Sequence, residues 1–319
     1  MHVFVFLILC AAQCYVRSES HTENIETLMD NVVVLKVHYG VPSRVYVPLT
    51  CGEDNQIQPV FWKRNGEELS PRLEGNQVSV LVEEMNGGNY SCHLSSNGQY
   101  VNHTVIMVQL EENRTVILEE KSTEDGYIHC SALNYSGPFH CSWTRRRTRA
   151  NAAVLLIKAH RNSVVIPCEL NADGSGVQCQ NNNCPTEEEQ HRISLTVYLY
   201  SHSRLEKYEK TFYLREIVRP GRLPNLHLTE GRAFSWSYPE TWQEPCSFFG
   251  LQFQVKVVHH GQPCNSEEHI VQNIIQENTY EVGVKTKKYV FCVRAQDKHT
   301  GGPWGHWNHC TVNKGIVSC

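Results

Sequence analysis

No stretch beyond the first dozen residues approaches the roughly 18 consecutive apolar residues that a membrane-spanning helix needs. The tail TVNKGIVSC also lacks the apolar run of a lipid-anchor signal. Together these absences predict a released chain without membrane insertion. The short signatures of common catalytic sites are missing too, with no GxSxG, HExxH, Walker loop or GxGxxG. A non-enzyme with no catalytic residue and no cofactor is therefore expected. Helical periodicity of useful length is absent, which excludes a helical bundle. There is little net charge, −4 over 319 residues, so composition does not call for nucleic acid.

The chain begins with VFVFLILCAA at 3–12, followed by small and polar residues at Ser18 and Ser20. This reads as a secretory signal peptide over 1–20, cleaved between Cys14 and Ser20. An exported chain puts its 14 cysteines in an oxidising compartment, where pairing is their default fate and a zinc site built from thiols is disfavoured. Four sequons agree with export: Asn89, Asn102, Asn113 and Asn134.

Length and turn spacing divide the rest into three β-sandwiches in series, at 21–110, 111–219 and 220–319. In the first, Cys51, Trp62, Tyr90 and Cys92 have the spacing of an immunoglobulin domain with an inter-sheet Cys51–Cys92 bridge. Glu111 to Asp125 is charged and marks the first boundary. In the second sandwich, Cys130 and Cys141 frame SALNYSGPFH, and Cys168 and Cys179 offer a local bridge across a Gly-rich hairpin. ISLTVYLYS at 193–201 turns Ile193, Leu195, Val197 and Leu199 inward, and TFYLREIV at 211–218 is expected to be the last strand. Pro220, Gly221 and Pro224 stiffen an elbow. In the third sandwich, Leu251, Phe253, Val255 and Val257 share one strand face.

Two cysteine features stand apart. Cys184 lies in VQCQNNNCPTEEEQ, a polar loop where an exposed thiol is available for an intermolecular disulfide, with an intradomain pairing as the alternative. The third sandwich holds five cysteines, Cys246, Cys264, Cys292, Cys310 and Cys319, whose pairing stays open. Arg145, Arg146, Arg147 and Arg149 form a basic cluster. On a strand, Arg145, Arg147 and Arg149 would share a face able to bind heparin-like sulfated glycans, partly neutralised by Glu187, Glu188 and Glu189.

The stretch YVFCVRAQDKHTGGPWGHWNHC at 289–310 places Arg294 on the outer face of a strand, with Trp304 and Trp307 able to fold back onto its guanidinium. It resembles the Trp-Ser-x-Trp-Ser signature of class I cytokine receptors, with Gly305 and Asn308 in place of the serines. Cys141-Ser142-Trp143 is similar to the Cys-x-Trp element of the same family's cytokine-binding region. The chain, densely from about Cys130 to Trp307 and more sparsely in the first sandwich, resembles a soluble receptor-like member that pairs with a four-helix alpha chain.

Several site assignments follow from that resemblance. It implies an interchain disulfide at Cys184 and an alpha-chain pocket at the elbow, where Asp297, rimmed by Tyr135, Phe248 and His299, receives an Arg. It also implies a partner on the cell surface; apart from it, Cys130–Cys141 and Cys168–Cys179 read as local bridges, and Trp304-x-x-Trp307 resembles an acceptor for C-mannosylation of Trp304. A homodimer, a decoy receptor for a helical cytokine and a glycan-binding adhesion protein are the other expectations.

Overall fold

The computed structural model describes residues 24–38, 43–52, 59–111, 114–123, 125–135, 137–180, 189–230, 232–242 and 250–319. The described residues are nearly all strand and turn, arranged as an all-β, multi-domain sandwich fold. They form two compact units, residues 1–115 with 200–206, and 116–199 with 207–319. No described helix is long and apolar enough to cross a membrane.

The first unit is organised about Trp62, which is fully buried in the strand Val60–Arg64. Val60–Arg64 and Gly88–Leu94 run antiparallel, and Gly88–Leu94 in turn pairs with Tyr100–Leu110. Val32–Val37 joins Tyr100–Leu110 in parallel. A second layer pairs Arg44–Thr50 with Gln77–Glu83, and in Arg44–Thr50 every second residue is buried, the period of a half-covered strand. The Cys51–Cys92 disulfide joins the two layers. Trp62 adds a hydrogen bond from its indole Nε1 to the Gly75 carbonyl at 2.9 Å, so the buried N–H is satisfied.

The second unit contains two layered modules. In the first module Ile193, Leu195, Val197 and Leu199 are all fully buried along Ile193–Ser201. The facing sheet orders Cys168–Leu170, Gly176–Gln180, Pro138–Ser142 and His129–Ser131. Its two bridges tie residues directly opposite one another on neighbouring antiparallel strands, Cys141 with Cys130 and Cys168 with Cys179. The expected last strand at 211–218 is different. Its strand ends at Phe212, and Leu214–Ile217 is a single helical turn. The cause is distant in sequence, for the Glu189 carboxylate accepts the N–H groups of Leu214 and Arg215 at 2.9 and 3.0 Å and satisfies the open end of the turn.

The second module is built on Leu251–His259 and Lys288–Asp297, which pair antiparallel from Leu251↔Asp297 to His259↔Tyr289. Their inner faces meet Phe234 and Trp236, and the Phe234 and Phe291 rings stack with centroids 4.0 Å apart. The outer face is also covered. Val258, Val290, Cys264 and Cys292 form a small separate cluster against Trp307, closed by a Cys264–Cys292 disulfide. Cys310–Cys319 ties the final hairpin, Asn308–Asn313 with Ile316–Ser318. The five described bridges use ten cysteines, and Cys10, Cys14, Cys184 and Cys246 lie outside the described residues.

Candidate functional site at the elbow of the second unit

Asp297 ends the strand Lys288–Asp297 with its side chain buried, 1% exposed. One carboxylate oxygen, Oδ1, accepts the backbone N–H groups of His299 and Thr300 at 2.7 and 3.0 Å. This is the local turn that short acidic side chains favour, and Gly301 completes it with φ 61° and an N–H donated to the Asp297 carbonyl. The other oxygen, Oδ2, accepts the Tyr135 hydroxyl at 2.8 Å, a contact between residues of the two modules. Thr300 Oγ1 stands 3.3 Å from the same hydroxyl.

Tyr135 is 2% exposed and edge-on to Trp242, ring centroids 6.0 Å apart. Burial, the largest cause, pushes the phenol well above its usual range; the Thr300 hydrogen bond opposes it, and the hydrogen bond and negative charge of Asp297, with the charge of Glu189, act in the same direction as burial. It therefore stays a proton donor at every physiological pH. Asn134, next in the chain, donates its Nδ2 to the Thr241 carbonyl at 2.9 Å. The pair 134–135 thus grips 241–242 and Asp297 together.

The structure brings Tyr135, Asp297 and the exposed His299 together, whereas Phe248 and Cys184 lie outside the described residues. Arg294 Cζ stands 5.0 Å from the Trp304 ring and 4.4 Å from the Trp307 ring. Its Nε donates to Gln254 Oε1 at 2.7 Å, a partner that the alternation of Leu251–His259 places on the outer face. Trp304 is half-buried in that stack. Gly305 and Asn308, in the serine positions of the signature, serve the elbow. A Cβ on Gly305 would lie 2.6 Å from the Pro220 carbonyl oxygen. Asn308 clamps Leu223 with two hydrogen bonds, Oδ1 accepting the Leu223 N–H at 3.0 Å and Nδ2 donating to its carbonyl at 2.9 Å.

The arginine cluster does not form the expected strand face. Arg147–Arg149 is a turn of 3-10 helix, closed by Arg149 N–H to the Arg146 carbonyl. Arg145 donates to the carbonyls of Asp173 and Gly174, and Arg146 to that of Leu118, so two of the four guanidiniums are committed to the backbone. Glu189 is held by Arg161 at 2.7 Å and by the helical turn, away from that cluster, while Glu187 and Glu188 lie outside the described residues. Of the sequons, Asn89 is exposed, Asn102 and Asn134 are half-buried, and Asn113 lies outside the described residues. Among the described residues no cluster of three or more His, Cys, Asp or Glu side chains is arranged to hold a metal.

Comparisons with known proteins point to one group of sequences. Residues 125–201 match a family model described as the cytokine interleukin-12p40 C-terminus. The chain is 27% identical over 303 residues to interleukin-12 subunit beta of Papio anubis, covering 86% of this chain and 89% of that one. The same subunit of Homo sapiens gives the same identity and coverage. That of Mesocricetus auratus is 28% identical over 288 residues, 82% of this chain and 84% of its own length. The likeness therefore runs through both units and includes the elbow, and the chain is a relative of the interleukin-12 beta subunits.

Proposed function

We propose that the chain is a secreted cytokine subunit that pairs with a four-helix alpha chain of the interleukin-12 alpha or interleukin-23 alpha type. The pair is joined by a disulfide from Cys184 and presented to cell-surface cytokine receptors in immune signalling. It performs no catalysis. The observation that carries the reading is the buried Asp297 carboxylate, pinned by Tyr135 where the two modules of the second unit meet.

A carboxylate offers about four lone-pair sites. The described donors fill three, from His299, Thr300 and Tyr135, and leave one on Oδ2 for an incoming guanidinium. The surrounding aromatic rings of Tyr135 and Trp242 keep the local dielectric low, which strengthens a charged hydrogen bond. The identity to interleukin-12 beta subunits across both units supports the same reading.

The test is non-covalent assembly with the co-expressed alpha chain in a Cys184→Ser background. Asp297→Asn keeps the size of the side chain and removes its charge, and it is expected to cost 2 kcal/mol or more of affinity, roughly thirtyfold or more. Unchanged affinity in a folded Asp297→Asn variant overturns the pocket assignment. A heterodimer that still resists non-reducing electrophoresis after Cys184→Ser overturns the disulfide.

A further inference from the structure

Beside the Asn134–Thr241 contact lies a second feature that the assembly reading does not use. It is a cleft of about 510 Å³ within the second unit, a volume typical of small-ligand sites. Its lining carries Arg219 and three histidines, His129, His140 and His306, together with Gln178 and Thr241, and no carboxylate among the described residues. Arg219 is the one formal charge on this lining, set among imidazole, amide and hydroxyl groups.

The polar groups in the cleft are unequally engaged. His129 Nδ1 faces Asp125 Oδ1 at 3.3 Å, and His140 Nε2 lies 3.3 Å from Asn171 Nδ2. Arg219 has no carboxylate within ion-pair reach among the described residues, and its backbone N–H goes to the Ala132 carbonyl. The Thr241 hydroxyl is buried without a partner among the described residues, which ordinarily costs about 1–3 kcal/mol. The Arg294 guanidinium is held below its usual range, first by its own burial and then by the charge of Arg219.

We propose that this cleft binds a tetrahedral oxyanion, the phosphate or sulfate group of a small ligand. Arg219 supplies the fixed charge and a forked set of N–H donors. His306 and His140 flank it as further donors, and Gln178 and the Thr241 hydroxyl add neutral ones. The shared chemistry belongs equally to a free inorganic ion and to a sulfate ester on a sugar. With Arg145 and Arg146 committed to backbone carbonyls, the cleft is the better-built anion site of the second unit.

The experiment is titration calorimetry of the full chain at physiological ionic strength with two probes, inorganic phosphate and glucosamine 6-sulfate. Saturable binding of at least one probe is expected, weakened about tenfold by Arg219→Gln and less by His306→Gln. Lys298→Gln, on the exposed loop beyond the cleft, should leave it unchanged. Tighter phosphate than sugar sulfate assigns the site to a free ion, and the reverse assigns it to a sulfated glycan. If Arg219→Gln fails to fold, His140→Gln and His306→Gln carry the same comparison. Absence of saturable binding by the wild-type chain, or wild-type affinity in the folded cleft variants, overturns the proposal.

Discussion

The Tyr135 hydroxyl donates to Asp297 Oδ2 at 2.8 Å although 162 residues of chain separate the two. The same carboxylate caps its own turn through Oδ1. Asp297→Ala would remove the acceptor of two backbone N–H groups and the carboxylate that receives the Tyr135 hydroxyl. A loss of about 2–4 kcal/mol is expected in urea unfolding of the isolated chain. Tyr135→Phe should cost about 1 kcal/mol, since it removes one donor and keeps the ring against Trp242. Equal stability of both variants and the wild type would show that the network carries no folding energy.

The Arg294 stack should respond unequally to loss of its two rings. Trp307 also covers the Val258, Val290, Cys264 and Cys292 cluster, whereas Trp304 is not among the residues packed there. Trp307→Ala is expected to destabilise by about 3–5 kcal/mol. Trp304→Ala should lose nearer the cation–π share, about 0.5–2 kcal/mol, plus its own burial. Thermal unfolding of the pair checks the order, and a larger loss from Trp304→Ala would refute it.

Restoring the receptor-like signature at Gly305 should harm the protein. A side chain there meets the Pro220 carbonyl oxygen at 2.6 Å and the Ala295 carbonyl oxygen at 3.2 Å. Gly305→Ser is expected to lose about 1–3 kcal/mol through overpacking. A gain in melting temperature would contradict the packing described for the elbow.

Two acidic residues should differ sharply. Glu189 is 5% exposed, paired to Arg161 at 2.7 Å, and caps the Leu214–Ile217 turn. Glu189→Ala strands a buried guanidinium and should cost about 3–5 kcal/mol. Glu83, whose pair with Arg44 is about half exposed on both sides, should cost under about 1 kcal/mol when replaced by Ala. Chemical denaturation of the two variants provides the comparison.

Acid should erode one local contact in a defined direction. Burial pushes the Asp125 carboxyl up, but the hydrogen bond and charge of His129, with Lys121 and Lys210, outweigh it and leave the group below its usual value. Its contribution is present above the unfolded carboxylate range near pH 4 and is lost as pH falls through the lowered folded value. Asp125→Asn should therefore narrow the stability difference between neutral and strongly acidic pH. An unaltered acid limb would remove Asp125 from the account.

Strand alternation made much of the fold legible. Tyr289 to Ala295 and Leu251 to Val257 each read as a strand with one apolar face, and Phe253, Val255, Val257, Phe291 and Val293 are all fully buried. Trp304 and Trp307 were placeable over Arg294 because a turn at Gly301, Gly302 and Pro303 returns the chain to that face. What depended on distant partners was not legible. TFYLREIV has strand composition, and a carboxylate from Glu189 converts its second half to a helical turn. The partner of Cys292 depended on where the loop after His259 returns, which brings Cys264 to it. At Asp297 the pocket role came only from the resemblance, and neither its turn-capping bonds nor the distant Tyr135 donor was legible in the residues around it.

The two modules of the second unit are each internally cross-linked, by Cys130–Cys141 and Cys168–Cys179 in one and by Cys264–Cys292 and Cys310–Cys319 in the other. None of these bridges spans the elbow, which is held by Asn308 on Leu223, Tyr135 on Asp297, Asn134 on Thr241 and the bare backbone of Gly305. Among the described residues the elbow is therefore held without a covalent staple, so its geometry rests on hydrogen bonds and on a core shared by both modules, which reduction of the disulfides would leave in place.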